Sequence, residues 1–129
     1  MTVYQAIFQD ELGGRYHELA DVKDIDGMTL ILSLSDGHGS DIELHFDYIA
    51  YRVTNEGDRL PTVGKLASIP GVLVYEAVFE SEYIAWLMVE RCGITPPMEQ
   101  KFRHFMVVAE FVIDVICYDA PKFIRKSPQ

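Results

Sequence analysis

The sequence predicts an α+β fold, a mainly antiparallel β-sheet with one principal α-helix packed on it, and three observations carry that expectation. Ile42, Leu44 and Phe46 alternate with Glu43, His45 and Asp47, the period of a strand with one face in a core. The stretch Asp36-Gly37-His38-Gly39-Ser40 separates that run from a second β-favouring run, MTLILSLS, as a hairpin turn would. One segment, about Glu82 to Cys92, carries helix signals at both ends. A chain of 129 residues fits a single domain, residues 1–129.

In chain order, Val3 to Phe8 reads as a first strand, Gly13-Gly14 as a turn, and Tyr16 to Ala20 as a short second strand. The run from Met28 and the run DIELHFDYIAYRV form the hairpin. Because Tyr48, Tyr51 and Val53 cannot share one face at period 2, a bulge or bend is expected near Tyr48-Ile49. Thr62 to Ser68 suits an irregular helical turn, and Val72 to Val78 another strand. Ser81 stands at the N-cap of the helix, Glu82 in its first turn, Arg91 in its last, with Gly93 and Pro96-Pro97 beyond. Its apolar arc, Tyr83, Ile84, Leu87 and Met88 with Trp86 and Val89, is wider than one sheet contact needs and calls for a further contact, with a loop or a second subunit. Two strands, about Phe102 to Ala109 and Val112 to Tyr118, flank Glu110-Phe111; a turn at those two residues sets His104 opposite Cys117, Met106 opposite Val115 and Val108 opposite Ile113. Both faces of that hairpin are apolar enough to be covered, as in the centre of a sheet.

Composition narrows the function classes. Hydrophobic residues at 49% and charged residues at 24% are globular values, which sets aside a disordered or collagen-like chain. The start MTVYQAIFQDEL lacks an export signal and no apolar run approaches the ~18 residues of a membrane span, so a soluble cytoplasmic protein is expected. Cys92 and Cys117 then read as free thiols. The net charge of −9 is concentrated: residues 1–100 carry 17 acidic against 6 basic side chains, net −11. Such a surface repels nucleic acid and steers a basic partner.

Four motifs invite a chemical reading. Asp36-Gly37-His38-Gly39 after a strand resembles the opening motif of binuclear metallophosphoesterases, whose Asp and His coordinate metal. The later blocks of that family, Gly-Asp-x-x-Asp and Gly-Asn-His-Asp/Glu, are missing, and so is the Gly-Thr-Ser motif of the subtilases, whose GHGTH the tetrapeptide also resembles. The turn reading is therefore preferred, with no metal and no cofactor. DVKDIDG, residues 21–27, resembles a calcium loop, but its first ligand position falls on Val22 and its twelfth on Ser33, which leaves an acidic turn. His104, Asp114 and Cys117 are the residue types of a thiol-nucleophile site, yet the register above puts Asp114 on the face opposite His104. Lys122, Arg125 and Lys126 read as a solvated tail.

DYIAYRVTNEGD, ESEYIAWL and RHFMVVAEFVIDVI, within about residues 28–118, resemble a recurrent pattern in small uncharacterised bacterial proteins: a strand ending Y-R-V-x-x-E, a helix with S-x-Y-x-x-W-L, and an H-F strand returning through D-V. The resemblance implies a fold relative and brings no activity. Some small acidic proteins of this general kind serve as immunity partners of secreted toxins. The sequence thus points to a non-enzymatic acidic module that binds a protein, with Asp41, Glu43, Asp47, Tyr48, Tyr51, Tyr83 and Trp86 as the partner surface. The alternatives are a homodimer that buries the apolar excess, or a small metal-dependent hydrolase using Asp36 and His38.

Overall fold

The structure is a computed structural model that describes residues 2–12, 17–37, 41–55, 59, 74–94, 100–109 and 111–126. Its elements are β1 (Val3–Ala6), α1 (Gln9–Leu12), β2 (Glu18–Ile25), β3 (Thr29–Ser35), β4 (Asp41–Asn55), β5 (Val74–Val78), α2 (Glu82–Glu90), β6 (Arg103–Val108), β7 (Phe111–Cys117) and β8 (Lys122–Arg125). All described pairings are antiparallel, in the order β1-β5-β6-β7-β4-β3-β2, with β8 also on β4. The mainly antiparallel sheet is therefore as expected, but the domain is more strand-dominated than a sheet with one principal helix implies.

β4 organises the molecule. Its first half pairs with β3 on one side, Ser35 opposite Asp41 through Thr29 opposite Asp47. On the other side β7 and then β8 run along it as one interrupted strand, β7 beside Tyr48–Asn55 and β8 beside Ile42–His45. Between the halves the register shifts from Tyr48 to Ala50, the bulge that the broken alternation required. The bend lets one face of the sheet close on itself: Phe46 on β4 meets Phe105 on β6 with ring centroids 6.1 Å apart. Leu30, Leu32, Leu34, Ile42, Leu44, Val107, Ile113 and Val115 complete this core, and Leu12 of α1 closes one end. Extended, β-branched and aromatic side chains suit such a pleated, two-walled interior.

α2 lies on the opposite face of the β5-β6-β7 region. Ser81 caps it by accepting the Ile84 N–H at 3.1 Å, and Gly93 ends it, its N–H reaching back to the Met88 carbonyl at 2.9 Å with φ +76°. The helix stops at Glu90, two residues before the expected Cys92. Of its wide apolar arc only Tyr83 is buried; Trp86 is 52% and Val89 75% exposed.

Several local expectations are corrected. The first strand ends at Ala6, and Phe8 takes φ +58° to enter α1, which carries no periodic signal. The acidic stretch 21–27 is mostly strand: β2 runs through Asp21–Ile25, and only Asp26 and Gly27, both at positive φ, form the turn, with the Met28 N–H on the Ile25 carbonyl at 3.0 Å. Lys122 and Arg125 belong to β8, and the Lys126 N–H donates to the Asp41 carbonyl, so this segment is ordered by β4 and is no tail. The β6–β7 register is slipped by one residue from the expected one: Arg103 faces Cys117, His104 faces Ile116, Met106 faces Asp114. A slip of one exchanges the two faces of a strand. Gly13-Gly14, Thr62 to Ser68, and residues 72–73 of the expected strand lie outside the described residues.

The two thiols differ sharply. Cys92 is exposed; Cys117 is buried in the core, donates to the Asp119 carbonyl at 3.1 Å, and is pushed up to about 12, by burial first. An aromatic disulfide reagent at pH 8 is expected to titrate one thiol rapidly and the second only on unfolding. Two rapid thiols in the native protein would contradict the packing at Cys117.

Candidate functional site

The slipped register puts Asp114 on the same face as His104, at the centre of a buried polar cluster. Asp114 is fully buried in β7 and accepts three charged or polar donors. His104 Nε2 reaches its Oδ1 at 2.7 Å; Arg52 Nε and Arg59 Nη1 reach its Oδ2 at 3.0 and 2.5 Å. Arg52 stands directly opposite on β4, and Met106 directly opposite on β6. Burial pushes the carboxyl up, but the hydrogen bonds from His104 and Arg59 and the neighbouring positive charge outweigh it and hold it far below the ordinary carboxylate range.

His104 continues the chain. Its other nitrogen, Nδ1, lies 2.7 Å from Ser81 Oγ, the hydroxyl that caps α2. The ionised Asp114 carboxylate can only accept, so the bond at Nε2 carries a ring proton. Tyr4 and Tyr83 close edge-on against the imidazole, centroids 5.7 and 5.5 Å away, and the Arg52 guanidinium sits 4.2 Å over the Tyr83 ring. Among the described residues no buried side-chain nitrogen or oxygen lacks a partner.

Carboxylate, imidazole and hydroxyl in series is the arrangement that activates a serine nucleophile. Here two guanidinium groups share the charge of Asp114, and Ser81 Oγ is already committed to the helix N-terminus. The imidazole, 1% exposed, is walled in by two tyrosines. The cluster acts as a clamp that fixes the start of α2 to the middle of the sheet. Cys117, expected beside His104, points into the core on the other face.

A second constellation lies at the β2–β3 turn. Asp24 of β2 accepts from both hydroxyls of Tyr48, at 2.7 Å to Oδ2, and Tyr51, at 3.0 Å, and the two rings meet edge-on at 4.8 Å. The bond to Asp24, chiefly, drives the Tyr48 hydroxyl up to about 12. Asp26 and Asp47 are exposed at the same end, with Met28 68% and Ile25 46% exposed between them. The Tyr48 N–H on the Met28 carbonyl at 3.1 Å and the Thr29 hydroxyl on Asp47 at 3.3 Å tie the turn to β4.

The residues expected to form one partner surface therefore divide among three places. Tyr48 and Tyr51 come together, with Asp24 as the member the sequence reading missed, and Asp47 lies at the same end on the other face of β4, bonded to Thr29. Asp41 and Glu43 lie farther along β4, where Lys126 at 3.0 Å and His45 at 3.1 Å engage Glu43, the hydrogen bond from Lys126 chiefly holding its carboxyl below the ordinary range. Tyr83 is buried beneath Arg52 and is unavailable to a partner, while Trp86 stacks on its ring at 5.6 Å and stays half exposed. Of the tetrapeptide 36–39, Asp36 and Gly37 follow β3, with the Gly37 N–H on Ser35 Oγ at 3.2 Å; His38 and Gly39 lie outside the described residues. Among the described residues no helix is long and apolar enough to cross a membrane.

No protein-family model matches the chain, and no curated protein or solved structure matches it.

Proposed function

We propose that the chain is a protein-binding module whose partner is basic and brings an apolar contact. One observation carries this reading: Ile25 and Asp47 flank Thr29 on the outer face of the sheet, and Met28 and Asp26 stand exposed in the turn beside them. Exposed apolar side chains beside carboxylates suit a partner whose own apolar anchor is flanked by lysine or arginine. The Tyr48 and Tyr51 hydroxyls hold Asp24 on the other face, so the strand end that carries Ile25 is braced before binding. A basic toxin neutralised by an acidic immunity protein is one relation of this kind.

The test begins with native mass spectrometry of the protein purified gently from its own host. A second polypeptide is expected; a spectrum holding only whole multiples of the chain's own mass would sink the reading. With the partner in hand, Asp26→Asn with Asp47→Asn is expected to slow association about 5- to 10-fold at low salt and to flatten its salt dependence, since exposed charges act on encounter. Association at the native rate would remove the electrostatic part.

A further inference from the structure

We infer that β2 is a docking edge, which takes up an extended segment of a partner carrying alternating basic residues as an added strand of the sheet. The inference deepens the proposed function and rests on it. β2 ends the strand order, and among the described residues no strand lies beyond it. All but one of its residues are exposed along a run of 8. An edge of this length presents backbone groups that another strand can pair with. The Val22 N–H is satisfied within the strand, donating to the Asp21 carboxylate at 2.9 Å. An incoming carbonyl can take that N–H and release the carboxylate for a cation on the added strand.

Charge selects the occupant. β2 and its turn carry Glu18, Asp21, Asp24 and Asp26 against Lys23 alone. A second copy would set this carboxylate-rich strand against itself and bring together two chains of net charge −9. A strand with lysine or arginine at every second position meets Asp21 on the outer face, where it competes with Lys23, 3.8 Å from that carboxylate, while its apolar residues meet Val22, 39% exposed, beside Asp24 on the inner one.

Two labelled peptides of about nine residues test this by fluorescence anisotropy on the full chain. One alternates lysine with valine; the other keeps the lysines and carries proline for valine, so that it cannot pair as a strand. The alternating peptide is expected to bind about tenfold more tightly and to slow amide exchange at Val22, and Asp21→Asn is expected to weaken it. Equal binding of both peptides with exchange at Val22 unchanged would overturn strand addition and leave acidic recognition standing. Binding of neither would also overturn it, while the host-purified complex would still decide the broader reading. A peptide-free dimer in light scattering, with Val22 already protected, would overturn it in favour of a second copy.

Discussion

Replacing Asp114 by alanine is expected to cost about 3–5 kcal/mol of folding stability, the range for breaking a buried ion pair by removing one partner. The loss comes less from the vanished attraction than from what stays behind. His104 and Arg59 keep their donors inside the fold with nothing to accept them, and the clamp on Ser81 and the start of α2 loosens with them. Asp114→Asn keeps the volume and one acceptor oxygen and should fall between. Urea unfolding followed by circular dichroism reads both; a loss under about 1 kcal/mol for the alanine variant would mean that the cluster is not built as described. The pH dependence follows from the same carboxylate. Its folded value is depressed below the unfolded value of about 3.9, so its contribution is complete above that value and is lost as pH falls beneath it. The native protein should therefore have a steeper acid limb below about pH 4 than the Asp114→Asn variant.

Phe46→Ala is expected to cost a similar amount, about 3–5 kcal/mol, by a different mechanism. Phe46 is fully buried where the closed sheet touches itself, and Phe105 is its counterpart. Truncation removes the transfer energy of the ring and leaves a void that the two bent walls are poorly placed to fill. Because each ring lines the cavity left by the other, the double variant with Phe105→Ala should cost less than the sum of the singles. Strict additivity in denaturant titrations would show that the rings do not pack on each other.

What could be read beforehand depended on how each strand is buried. β3 and the first half of β4 have one buried and one outer face, so alternation fixed the hairpin and its faces from Ile42, Leu44 and Phe46 alone. β6 and β7 are buried on both faces, so an apolar residue at any position satisfies either register, and the expected pairing slipped by one. A usable signal was present: a lone Asp114 inside an apolar run, and a lone His104 inside another, must find each other or some other partner if both strands are buried. Of β2 only the start, up to Ala20, was expected; its continuation to Ile25 was missed for the opposite reason, since a strand exposed on both faces has no apolar period and reads as an acidic loop. β8 is set by pairing with a strand far away in sequence, which no local pattern encodes.

The shared strand β4 has a consequence for how the chain reaches its fold. β2, β3 and the first half of β4 form a meander closed by short connections, whereas residues 48–55 find their partners only at 111–117 and β1 finds β5 at 74–78. High sequence separation slows folding, because chain entropy is lost before the contacts that reward it can form. The meander is thus the natural nucleus, with Ile42, Leu44 and Phe46 already aligned in it and the second half of β4 extending from it as a template. The remaining strands then condense onto one backbone that belongs to both halves, which couples them into a single cooperative transition.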